Sequence, residues 1–116
     1  MYLVALFAFV FAASLGAFMA TLHWRGQESG KALGIAHGLF AVSGLVLLGV
    51  GLWQVGADTG WWLLGGFLLV AAGGAYLFSR QIRGEPWPGL VIAVHGGAAI
   101  LMIVLLGVWL SGSPGA

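Results

Sequence analysis

Apolar residues run in long blocks along this chain, and polar residues gather in short clusters between them. The blocks show neither the strict alternation of a half-buried strand nor the one-sided stripe of a helix resting on a water-bathed core. A helix needs about 20 mostly apolar residues to cross the hydrocarbon of a bilayer. Four segments meet that requirement: residues 2–22, 32–55, 61–79 and 88–110. The clusters between them have turn chemistry. The first is Arg25-Gly26-Gln27-Glu28-Ser29-Gly30, the second Gly56-Ala57-Asp58-Thr59-Gly60, and the third Arg83-Gly84-Glu85-Pro86-Trp87-Pro88. Two prolines in the third suit the start of a helix and not its interior. All six tryptophans (Trp24, Trp53, Trp61, Trp62, Trp87 and Trp109) fall at or near a predicted helix end, where amphipathic rings meet the headgroup region. The pattern predicts an all-α membrane protein with four transmembrane helices.

Composition supports the same solvent. Of 116 residues, 61% are hydrophobic and 6% charged. A water-soluble domain has about 25% charged residues, so the outer surface of this chain is matched to lipid. The net charge of +1 argues against nucleic acid as a partner, since phosphate binding needs a basic patch. With no cysteine, disulfides, thiolate metal sites, iron–sulfur clusters and cysteine nucleophiles are all excluded. The first apolar block starts Met1-Tyr2-Leu3 without a basic residue and is too long for a signal-peptide core, so it reads as the first membrane helix. The lysine and arginines flank the first loop (Arg25, Lys31) and the third (Arg80, Arg83), whereas the second loop has only Asp58. The positive-inside rule then places loops one and three in the cytoplasm and both termini outside.

The sequence also matches itself. Shifted by 58 residues, Arg25-Gly26 falls on Arg83-Gly84, His37-Gly38 on His95-Gly96, Leu47-Leu48-Gly49-Val50 on Leu105-Leu106-Gly107-Val108, and Gly16-Ala17 on Gly74-Ala75. Ala13 falls on Ala71 and Ala41 on Ala99 without any gap, and 16 of the 58 positions are identical. Residues 1–58 and 59–116 thus read as two copies of one helix hairpin in a single membrane domain. A two-helix unit returns the chain to its starting side, so the copies insert in the same sense, as parallel repeats about an axis along the membrane normal. An up-down four-helix bundle built this way sets the second and fourth helices diagonally across the core.

His37 and His95 then lie at one depth, roughly 6–10 Å inside the cytoplasmic ends of their helices at 1.5 Å per residue. Intramembrane ionisable residues face the bundle interior and mark function. Two converging imidazoles suit a metal or a ring held between them, and imidazole is a common ligand of haem iron. The small neighbours Gly38, Gly96, Ala41 and Ala99 leave room for a flat group, although Met102 stands where helix two has Gly44. Arg25 and Arg83 each precede a histidine by twelve residues and, with Lys31, offer cations to its carboxylates; the same arginines also serve as topology signals. His23 aligns with Gln81 and reads as an interfacial residue. Ser14, Thr21, Ser43 and Gln54 suggest no nucleophile–base pair with either histidine; a metal other than haem iron stays open, but two histidines make a thin site for zinc, which usually takes three or four protein ligands.

The repeated order of Arg-Gly, short loop, helix, His-Gly and small residue resembles that of a group of small uncharacterised bacterial four-helix membrane proteins, over the whole chain. That resemblance implies a bacterial inner membrane and no particular activity. The placement of His37 and His95 also resembles that of membrane b-type cytochromes, which implies one bis-histidine haem b and electron transfer. The four histidines of a diheme member are not present in the helices. The expected protein is an electron carrier or subunit rather than a stand-alone enzyme. Its candidate partners, beside the bilayer, are other membrane subunits of a respiratory or quinone-linked complex, quinone itself and a second copy of the chain. The alternatives are a non-catalytic structural or assembly subunit, or one that holds a chlorophyll-type tetrapyrrole through a single histidine per pigment. A drug-exporter reading fails on the first helix, which has no acidic residue.

Overall fold

Each apolar block becomes one helix, because a backbone in hydrocarbon must satisfy its N–H and C=O groups within its own segment. In the computed structural model these are α1 (Tyr2–Trp24), α2 (Lys31–Val55), α3 (Trp61–Ile82) and α4 (Gly89–Gly112). The structure describes residues 1–56 and 58–113; Ala57 of the second turn and residues 114–116 of the second half lie outside the described residues. All four helices are long and apolar enough to cross a membrane. They fit a multi-pass membrane protein whose outer faces meet lipid. Phe7, Leu69 and Leu90 point outward with 70%, 78% and 78% of their surface exposed.

Helices α1 and α3 run two and three residues past the ends expected from hydropathy. What stops them is cap geometry and not the end of the apolar run. Gly26 (φ 72°) and Gly84 (φ 68°) take the left-handed conformation. The next N–H groups turn back onto the helix, Gln27 to the Leu22 carbonyl and Glu85 to the Arg80 carbonyl, each at 2.9 Å. This is a glycine C-cap that satisfies carbonyls otherwise left unpaired. Pro88 caps α4 from outside, in extended conformation, so the helix starts one residue later than its proline suggests. Hydroxyls within the helices bond to the preceding turn: Ser14 to Val10, Thr21 to Ala17 and Ser43 to Leu39, each 2.8 Å from the carbonyl.

Helix α1 packs on α2 and α4, and α3 also packs on α2 and α4. The α1/α3 and α2/α4 pairs stand across the centre without close backbone approach. The main buried cluster lies in one half of the bundle, although Ala12, Met19, Leu77 and Ile92 are buried in the other. Tyr2, Ala5, Phe9, Leu48, Leu52, Leu63, Phe67, Met102 and Leu106 form that cluster. At its centre the rings of Phe9 and Phe67 stack, 3.9 Å between centroids and 2° from parallel. The large rings are seated on glycines: a Cβ on Gly44 would lie 2.7 Å from the Phe9 ring, and one on Gly51 2.8 Å from the Tyr2 ring. Close approach of this kind is what small residues provide in membrane bundles. Trp53, at 79% exposure, faces outward. Trp109 turns inward instead, edge-on to Tyr2 at 5.3 Å.

Candidate cofactor site

The other half of the bundle, toward the first and third turns, holds both intramembrane histidines. Each is the seventh residue of its helix, His37 in α2 and His95 in α4. His37 Nδ1 lies 2.7 Å from the carbonyl oxygen of Ala12 in α1. His95 Nδ1 lies 2.9 Å from the carbonyl oxygen of Val70 in α3. The two acceptors, like the two histidines, are 58 residues apart. A carbonyl oxygen only accepts, so in each ring Nδ1 bears the proton and donates it. In its neutral form such an imidazole has its lone pair on Nε2. Each ring has room because the neighbouring helix has glycine at the contact. A Cβ on Gly16 would come within 3.0 Å of His37 Cε1, and one on Gly74 within 3.0 Å of His95 Cε1.

The two imidazoles approach to 6.1 Å between centroids, with their planes at 80°. They border a cavity of about 420 Å³ whose walls are mostly apolar and come from all four helices. That volume falls in the range of roughly 300–1,000 Å³ typical of small-molecule and cofactor sites. Gly16 and Ala20 of α1, Gly34 of α2, Gly74 and Gln81 of α3, and Gly96 and Ala99 of α4 are among its walls. Trp87 lies at its loop end with Nε1 donating to the Leu77 carbonyl at 2.9 Å. Gln81 donates from Nε2 to the Ser29 carbonyl at 3.0 Å, and its Oε1 is buried without a partner.

The expected site residues divide between wall and exterior. His37, His95, Gly96 and Ala99 border the cavity; Gly38 and Ala41 do not. The cavity extends from the histidines mainly toward the loops; on the other side it reaches Ala13, Ala99 and Ile100 but not Gly44 or Met102. Gly44 receives the Phe9 ring, and Met102 is a core residue lying over Gly66. With the stacked phenylalanines filling the middle of the bundle, the space expected below the histidines is occupied. The cations lie outside as well. Arg25 is exposed at the end of α1. Arg83 is exposed and pairs with Glu85 at 3.2 Å. Lys31 opens α2 and lines a separate crevice of about 700 Å³ between the first and third turns, together with His23 and Ser29.

Sequence reasoning missed Gln81 and Trp87 as wall residues, and it read Gly16 and Gly74 only as members of the repeat. The paired glycines did have a signal, since they keep register with the histidines. Gln81 and Trp87 had none, because neither has an identical counterpart in the first half. Among the described residues no group of three or more histidines, cysteines or acids comes together to hold a metal ion. The chain matches no protein-family model, no curated protein and no solved structure.

Proposed function

We propose that this chain is a small b-type cytochrome of a bacterial inner membrane, holding one haem between His37 and His95 and passing single electrons to a membrane partner. The carrying observation is the pair of Nδ1–H···O=C bonds from the histidines to Ala12 and Val70. Histidines that ligate metals commonly donate the other ring N–H to a carbonyl or carboxylate, which fixes the tautomer and aims the free nitrogen. The 6.1 Å separation also suits one metal between the rings.

When bound, haem supplies the one-electron chemistry. The chain's own residues do the rest. The Ala12 and Val70 carbonyls hold the imidazoles in the ligating tautomer. Gly16 and Gly74 let the rings approach α1 and α3 closely. The apolar walls keep water from the histidines. Lys31 and Arg25, which have no ion-pair partner among the described residues, are the cations available to a carboxylate at the loop end.

The architecture belongs to the same proposal: two parallel hairpin repeats in an up-down bundle, with loops one and three cytoplasmic and both termini outside. Supporting it, Tyr2 meets Gly51, Phe9 meets Gly44 and Gly16 meets His37, so that α2 is met in reverse order as α1 advances. Gly66 meeting Met102 and Gly74 meeting His95 repeat this in the second half.

The test is the absorbance of the detergent-purified chain, oxidised and dithionite-reduced, after expression with ample haem. The expected result is a Soret band with sharp reduced α and β bands, lost in His37→Ala and in His95→Ala. A colourless preparation sinks the cytochrome reading and leaves a structural subunit.

A further inference from the structure

The two halves match in sequence, but the cavity is not shared equally between them. Residues that line it and are also exposed occur on only two helices: Ala17, Thr21 and Trp24 on α1, and Ala93, Gly97 and Ile100 on α4. Its lining from α2 and α3 is buried or half-buried throughout. The mouth therefore opens along the α1–α4 seam, at the depth of the hydrocarbon. In a duplicated hairpin the α2–α3 seam is the equivalent of this one, and there the space is filled. Phe78 and Gln81 lie over Gly34, where a Cβ would meet Gln81 Oε1 at 2.6 Å and the Phe78 ring at 3.5 Å. The residue aligned with Phe78 is Ala20, a wall of the open cavity. On the facing helices, Ile35 and Leu39 of α2 become Ala93 and Gly97 of α4. Three bulky-to-small exchanges thus fall on the open seam, against one in the other direction, Gly34 to the buried Ile92.

We propose that the α1–α4 seam is a lateral port through which one planar tetrapyrrole enters edge-first from the lipid, while Phe78 and Gln81 keep the duplicate seam shut. This rests on the haem reading for the identity of the occupant, but not on iron ligation. A flat macrocycle fits the observations because the lips are small at Ala17, Ala93 and Gly97, the walls are mostly apolar, and two imidazoles lie within. It also accounts for one site per chain in a molecule with two equivalent halves.

Metal-free protoporphyrin IX tests the port separately from ligation, since it offers no iron to His37 or His95. The full chain in phosphatidylcholine vesicles is mixed with porphyrin-loaded vesicles, and uptake is followed by energy transfer from tryptophan to porphyrin. Uptake should saturate at one porphyrin per chain. Narrowing the lips with the residues of the closed seam, Ala93→Ile with Gly97→Leu, should slow loading by about tenfold or more. The reverse exchange on α2, Ile35→Ala with Leu39→Gly, should leave the rate unchanged. Ala17→Trp, on the opposite lip, gives a second block should the α4 variant fold poorly. No uptake by the unaltered chain, or unchanged rates in both lip variants, overturns the port. Normal porphyrin loading, slowed by the lip variants but without the spectrum of ligated haem, overturns the bis-histidine reading and leaves the port standing.

Discussion

A histidine ring can lie against a neighbouring helix only where that helix has no side chain in the way, and Gly16 and Gly74 meet this condition for His37 and His95. Each closes a small unit of carbonyl, glycine and imidazole. The prediction at this scale is specific to the glycines. Gly16→Val or Gly74→Val should displace the ring from its carbonyl and lower haem retention by at least tenfold, about 1.4 kcal/mol. Haem titration of the purified variants, with helix content by circular dichroism as the folding control, checks it. Retention equal to the unaltered chain would show that the rings need no such seat. A second residue prediction concerns packing alone. Gly44→Val sets new atoms against the Phe9 ring, where a Cβ already stands 2.7 Å away. It should destabilise the bundle by about 1–3 kcal/mol, as overpacked cores do. Unfolding in mixed dodecylmaltoside–dodecylsulfate micelles reads that change.

Single elements show which features are structural and which are spare. The turn between α3 and α4 is tied by Glu85 to both Arg80 and Arg83 at 3.2 Å. Glu85 is 42% exposed, so these pairs sit in high dielectric and contribute little. Glu85→Gln should alter stability by less than about 1 kcal/mol in the same micelle titration. A larger loss would mean that the turn is held by its charges and not by Gly84 and Pro88. The helix limits follow the same distinction. Hydropathy locates the spans, but α1 and α3 continue until glycine caps them, so chemistry at the loop ends decides the last turn.

For the whole molecule, orientation is the decisive property, and the absence of cysteine makes it simple to measure. Single reporters at Gln27 and Ser113, as Gln27→Cys and Ser113→Cys, should label oppositely with a membrane-impermeant maleimide in intact cells. The prediction is that Ser113→Cys reacts and Gln27→Cys reacts only after the membrane is opened. The reverse pattern would overturn the positive-inside assignment. The dense core at the end of the bundle nearer the termini and the cavity at the loop end would then face opposite compartments to those proposed.

Four apolar blocks, the glycine turns between them and the position of the two histidines were legible in the sequence because each depends on local chemistry or on simple register. Hydrocarbon demands about 20 apolar residues per span, and the 58-residue offset puts His37 and His95 at the same step of their helices. The direction of the cavity and the seam on which it opens were decided only by tertiary packing. Phe9 had to meet Phe67, and Met102 Gly66, before the space near Gly44 closed; Phe78 had to meet Gly34 before one of two similar seams was filled. These outcomes depend on side-chain volumes that come together from distant helices, and no periodicity along the chain encodes which large residue will face which small one.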